Sequence, residues 1–179
     1  KLFADITPPT GTIKINNDTA YTNSTAVTLN LSAEDDEGVL DKMQFSNDNI
    51  NWSTPEAYAT TKTWTLSAGD GLKSVYARFK DAAGNWSNPV SDTIILDTGP
   101  PQTIDSGIDG NWHNTDITVT LTAADSLSGI AHSYYTSDGS PPTASSSEYR
   151  APFTILNEGA RTIKYFSIDN AGNSETPKS

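Results

Sequence analysis

The chain has 179 residues, enough for one or two small domains, and sets 22 Asp and Glu against 11 Lys and Arg for a formal net charge of −11. That balance repels a phosphate backbone, so nucleic acid is not an expected partner, whereas divalent cations are natural ones. The chain has no Cys, which excludes disulfides and thiolate metal sites, and no run of about 18 apolar residues that would insert in a membrane. No segment of this numbering reads as a signal peptide, so a secreted form is expected to have lost one already.

Short period-2 alternations separated by Gly, Pro, Asn, Asp and Ser predict an all-β protein with many turns and no helix. In chain order, strands are predicted at 12–15, 27–32, 42–45, 63–66, 75–80 and 93–96, with a short one near Ala57. After the proline-stiffened segment Asp97-Thr98-Gly99-Pro100-Pro101 come strands at 102–104, 117–122, 132–136, 152–155 and 162–168. That segment predicts a semi-rigid connection and an extended, rod-like pair of domains. Val27, Leu29, Leu31, Val75, Ala77 and Phe79 are expected in one core, joined by Met43, Phe45 and Trp64; Ile117, Val119, Leu121, Ile163 and Tyr165 are expected in a second. Phe166 and Ile168 are expected to face outward, where the first copy has Arg78 and Lys80, marking a contact surface. Asn47-Asp48-Asn49 and Ser137-Asp138-Gly139-Ser140 supply the hairpin turns, with positive φ expected at the Asp and Gly positions.

The chain repeats at about 90 residues, which selects two small sandwiches. Asp81-Ala82-Ala83-Gly84-Asn85 aligns with Asp169-Asn170-Ala171-Gly172-Asn173, and Ser32-Ala33-Glu34-Asp35 with Thr122-Ala123-Ala124-Asp125. Thr93-Ile94-Ile95-Leu96-Asp97-Thr98-Gly99-Pro100-Pro101 has its counterpart at the N-terminus, in Lys1-Leu2-Phe3-Ala4-Asp5-Ile6-Thr7-Pro8-Pro9.

Thr7-Pro8-Pro9, Ala33-Glu34-Asp35, Phe45-Ser46-Asn47 and Asp81-Ala82-Ala83-Gly84-Asn85-Trp86-Ser87 resemble the bacterial immunoglobulin-like domains of tandem arrays in adhesins and secreted polysaccharide-degrading proteins. Tyr134-Tyr135-Thr136-Ser137-Asp138-Gly139-Ser140-Pro141-Pro142-Thr143, followed by Phe166-Ser167-Ile168-Asp169-Asn170-Ala171-Gly172-Asn173, is similar to the C-terminal immunoglobulin-like module of chitobiases and β-hexosaminidases. The resemblance implies two tandem immunoglobulin-like β-sandwiches in a bacterial protein of the cell surface or extracellular space. It implies modules used as spacers, stalks and assembly units, and fold alone carries no more.

In immunoglobulin order the second copy lacks its last strand, G. The expected division is a donor strand over residues 1–5, a first domain over 6–98 and an incomplete second domain over 99–179. Leu2, Phe3 and Ala4 would occupy the places of Ile94, Ile95 and Leu96 in a neighbouring copy. Strand addition of this kind gives a head-to-tail homopolymer held by donor-strand complementation. Two alternatives stay open: a piece of a longer array from an adhesin or secreted polysaccharide-degrading protein, and a carbohydrate-binding accessory module. For the last, a glycan or cell-surface contact would use Trp52, Trp86 or Trp112.

The same topology gathers Asp5, Asp35, Asp36, Asp81 and Asn85 at one end of the first sandwich and Asp97, Asp125, Asp169 and Asn173 at one end of the second. Oxygen-rich clusters suit Ca2+, and Asp5, Asp35, Asp81, Asp97, Asp125 and Asp169 are the candidate ligands. A second reading stays open, in which the Asp side chains only accept backbone N–H groups within their own turns. Catalysis is not expected. His113 and His132 belong to no triad or metal spacing, and carboxylate pairs such as Asp35 and Asp36 have no cleft that the sequence defines. Five sequons (Asn17, Asn23, Asn30, Asn51, Asn85) are consistent with chance in an Asn-, Ser- and Thr-rich chain.

Overall fold

In the computed structural model, which describes residues 4–36, 38–156 and 159–179, the chain divides into two compact units, Lys1–Leu96 and Asp97–Ser179. The first unit begins its strands with β1 (Thr10–Ile15), β2 (Tyr21–Thr22), β3 (Ala26–Glu34) and β4 (Leu40–Ser46). It continues with β5 (Glu56–Ala57), β6 (Thr61–Thr65), β7 (Gly71–Asp81) and β8 (Val90–Leu96). One sheet runs β1-β3-β6 and faces a second, β2-β8-β7-β4-β5. The pairing is antiparallel throughout except where Tyr21 and Thr22 run parallel to Ile95 and Leu96.

Strict alternation produces this packing. Along β7, Val75, Ala77 and Phe79 are fully buried, while the intervening Tyr76 and Arg78 are half-buried on the opposite face, as the period of a strand requires. They meet Ile13, Ile15, Val27, Leu29 and Leu31 from the facing sheet, with Met43, Phe45, Ile94 and Leu96 closing the core. Trp64 packs at its margin, 5.5 Å from the Phe45 ring. Gly11 is required here, since a Cβ on it would lie 2.5 Å from Phe79 and 2.7 Å from the Ser32 carbonyl oxygen.

The second unit contains β9 (Gln102–Ser106), β10 (Ile117–Ala124), β11 (Ile130–Thr136), β12 (Ser147–Glu148), β13 (Phe153–Ile155) and β14 (Lys164–Asp169). Its sheets run β13-β10-β9 and β12-β11-β14. The core is smaller: Val119, Leu121 and Tyr165, with Ile108, Tyr135, Tyr149, Phe153 and Ile155 packed against them. Phe153 stacks on Tyr135 at 4.2 Å. Beside this core, Thr103, Ser133, Ser167 and Glu175 form a buried polar network. The Glu175 carboxylate accepts from the Thr103 and Ser167 backbone N–H groups and the Thr103 hydroxyl, and pairs with Lys178 at 2.7 Å. The first repeat has Ser87 in that place, its hydroxyl accepting from the Phe79 N–H.

Four expectations change. The position of strand G in the second unit is not blank: Tyr165 exchanges backbone hydrogen bonds with Lys178, and the Glu175 N–H donates to the Ser167 carbonyl. These contacts copy the approach to β8 in the first unit, where Ser87 donates to Phe79 and Ala77 pairs with Val90. The unit boundary falls after Leu96, not after Thr98, because Asp97 is bound into the second unit. Phe166 is buried, not exposed, since Tyr134 stacks over it at 5.6 Å. At the first hairpin Asn49, not Asp48, takes the positive φ, of 59°; Asp48 instead accepts from the Ile50 and Asn51 backbone N–H groups. Of the expected donor strand, Lys1, Leu2 and Phe3 lie outside the described residues, and Ala4 is exposed.

Candidate functional site: two acidic ends

Both sandwiches carry the same constellation, assembled from the start of the unit, the turn after β3 or β10 and the turn after β7 or β14. In the first unit these are Asp5, Asp35 and Asp81, and in the second Asp97, Asp125 and Asp169. Within each triad, one carboxylate oxygen per residue lies within 4.8 Å of the others. All six predicted ligands are therefore gathered as two sets of three. Asp36 is exposed and belongs to neither.

The third member of each set is a turn lock. Asp81 is fully buried and accepts from the Gly84 and Asn85 N–H groups at 2.6 and 2.9 Å and from Asn85 Nδ2 at 2.8 Å. Asp169 accepts from the Asn173 N–H at 2.8 Å and Asn173 Nδ2 at 2.9 Å. Gly84 and Gly172 take φ of 109° and 94°, which a side chain would strain. Burial raises the Asp81 carboxyl and these donors outweigh it, holding the group below the ordinary carboxylate range.

The first member joins each sandwich to the residues before it. Asn85 Nδ2 donates to the Asp5 carbonyl at 3.2 Å, and Asn173 Nδ2 to the Asp97 carbonyl at 2.8 Å. Each aspartate also accepts the N–H two residues on, from Thr7 and Gly99 respectively. Asp5 thus occupies in the first unit the place of Asp97 in the second.

The middle members differ. Asp125 accepts from the Leu127, Ser128 and Gly129 N–H groups at 2.9 to 3.0 Å. Burial again opposes these donors, yet its carboxyl is held low. At Asp35 both carboxylate oxygens are buried. Burial, followed by the charges of Asp5, Asp81 and Asp36, pushes its carboxyl up against the opposing backbone hydrogen bond from Gly38.

The remaining candidates have local partners. His113 pairs with Asp109 and His132 with Glu148, each at 2.9 Å, and neither histidine meets a nucleophile in these contacts. Trp52 and Trp86 each turn one face to Arg78, whose guanidinium carbon lies 4.4 and 4.8 Å from the two ring centroids and whose nitrogens donate to Gln44 Oε1. Sequence reasoning missed this clamp, although its signal was present: Asn-Trp-Ser occurs at 51–53 and 85–87, and the two Ser hydroxyls cap Phe45 and Phe79 N–H groups in the same way. Trp112 is 87% exposed and stands at the lip of a groove of about 270 Å³ lined by Ile108, Ile117, Val119, Ile155 and Ile163.

Residues 108–179 match the family model of the chitobiase/beta-hexosaminidase C-terminal domain. Across 93% of the chain the fold is similar to the Clostridium thermocellum CbhA fibronectin(III)-like modules, with a TM-score of 0.54, 18% identity and 90% of that chain covered. The chain is a tandem of immunoglobulin-like sandwiches. Weaker likenesses are to the PKD1 domain of Vibrio anguillarum Epp (TM-score 0.39, 17% identity, 52% of this chain and 98% of that one) and to a two-domain fibronectin type-III segment of chicken tenascin (TM-score 0.35, 12% identity, 93% and 94%). No curated protein matches.

Proposed function

We propose that this tandem is a non-catalytic structural repeat of an extracellular bacterial protein, in which one short segment ends a sandwich and opens the next. The equivalence of Asp5 and Asp97 carries the reading. In the first unit the residues just before Asp97 are Ile94, Ile95 and Leu96, of which Ile94 and Leu96 are fully buried in the core. Asp5 has the same bonds to its own sandwich, which supports reading Leu2, Phe3 and Ala4, by register, as the last strand of a preceding unit.

In the finer form of the proposal, that preceding unit is the second sandwich of another copy. Leu72 and Lys73 of β7 pair with Ile95 and Ile94; the repeat offset puts Ala160 and Arg161 in the corresponding places, and both border the groove under Trp112. An apolar strand seated there gains backbone pairing and apolar burial together. Repetition of this heterologous contact yields an open fibre. Light scattering on the 179-residue protein over a range of concentrations tests it. Concentration-dependent polymers that disappear when Lys1–Ala4 are deleted are expected. A protein that stays monomeric throughout, or a truncated form that still polymerises, would overturn assembly between copies.

A further inference from the structure

We infer that the loop of residues 107–115 in the second unit is the outer wall of the strand acceptor: it pairs in parallel with residues 1–4 of a second copy, and Trp112 closes over that strand. This role rests on assembly between copies and adds the edge of the contact that the β14 side does not supply. In the first unit β8 lies between two neighbours, β7 on one edge and β2 on the other. Tyr21 and Thr22 run parallel to Ile95 and Leu96, and the Ala20 carbonyl accepts from the Ile95 N–H at 3.0 Å. The end of that strand is thus paired on both edges, while Ile94 and Leu96 are fully buried beneath it.

The second unit carries both flanks of this arrangement. Aligned on Asp35 and Asp125, Tyr21 and Thr22 fall on Asn111 and Trp112; aligned on Asp5 and Asp97, they fall on His113 and Asn114. Residues 111–114 therefore hold the place of β2, and they lie in no strand of their own. Asn111, Trp112 and His113 border one groove together with Ala160 and Arg161, the counterparts of Leu72 and Lys73. The loop is held in shape by its own residues. Gly107, at φ 93°, packs so closely that a Cβ on it would lie 2.3 Å from the Thr118 carbonyl oxygen, and Gly110 turns at φ 73°. Asp109 accepts the Asn111 N–H at 3.0 Å and pairs with His113 Nε2 at 2.9 Å, bracing the stretch on both sides of Trp112. An indole 87% exposed at the lip of an apolar groove gains apolar contact from a strand laid against it. Residues 1–4 suit that place because Lys1-Leu2-Phe3-Ala4-Asp5 repeats Thr93-Ile94-Ile95-Leu96-Asp97, and Asp5 keeps the bonds of Asp97. In that register Phe3 and Ala4 meet the loop as Ile95 and Leu96 meet β2. A strand inserted between two edges satisfies its backbone groups on both sides.

The test is amide hydrogen exchange and light scattering on the full chain and its variants. In polymers the amide of Trp112 or of His113, whichever faces the added strand, is expected to exchange at least about tenfold more slowly than in the monomer. Trp112→Ala removes an exposed side chain and should leave the melting of the monomer unchanged. It is expected to raise the concentration at half-polymerisation by about tenfold or more, and Asp109→Ala, which removes the brace, should raise it in the same direction. Polymers in which both amides exchange as in the monomer, or a Trp112→Ala protein that assembles like the parent, would overturn the role of the loop and leave assembly standing. A parent protein that never polymerises would overturn both. The exchange reading needs no substitution, so it decides the matter however the variants fold.

Discussion

Single side chains here act mostly by accepting backbone N–H groups, and Asp48 shows the consequence for pH. The Asn51 N–H and side-chain amide, then the Ile50 N–H and Ser46 hydroxyl, hold its carboxyl well below the ordinary range. A group depressed in the folded state contributes stability that is fully present above its unfolded pKa of about 3.9 and is lost as pH falls from there toward the folded value. Asp48→Asn should therefore flatten the acid limb of the stability curve below about pH 4, as chemical denaturation at several pH values would register; an unchanged limb would remove Asp48 from that role. Arg78, between two indoles, is a second case. Arg78→Ala should destabilise the first unit by about 1–2 kcal/mol, given roughly 0.5–1 kcal/mol per exposed cation–π contact, and Arg78→Lys by less, which urea unfolding would measure. Most of this scale was hidden in the sequence. The acidic boxes were visible as candidates, but the three N–H donors that ring Asp125 were not. The Arg78 clamp joins three segments far apart in the chain, and period-2 patterning says nothing about outward-facing contacts.

At the scale of elements, equivalent strands differ in length for a physical reason. β7 runs over 11 residues with β8 beside it, whereas β14 covers 6, and Gly159–Ile163, the counterpart of the start of β7, stays outside the ladder. Ladder hydrogen bonds, not intrinsic propensity, set where a strand starts. Hydrogen exchange should accordingly find the amides of Leu72–Ala77 strongly protected and those of Arg161 and Thr162 fast. Slow exchange at Arg161 in the monomer would contradict the open edge. The long strands were legible from alternation, since Val27–Leu31 and Val75–Phe79 each bury every second residue. Two-residue strands such as Tyr21–Thr22 and Ser147–Glu148 were not, because two residues carry no period.

For the whole molecule, the unequal cores matter most. Among the described residues, thirteen buried apolar side chains form the first cluster, against three in the second, and the buried Glu175 network adds polar groups that need every partner in place. Calorimetry should show two transitions, the lower one from the second unit; a single cooperative transition would mean that the units do not fold independently. The repeat, the sandwich class and the two acidic ends could all be read from the chain, because they follow from spacing. The Glu175–Ser174 approach to β14 could not, because that short run has no alternation to mark it.

The most direct test of strand completion is titration of a peptide with the sequence of residues 1–9 into protein lacking Lys1–Ala4, followed through Trp112. This indole borders the groove, and the other three tryptophans lie in the first unit. The account predicts a saturable change in emission that is absent in Trp112→Phe, accompanied by a rise in the lower melting transition only. A peptide that leaves Trp112 and that transition unchanged would contradict it.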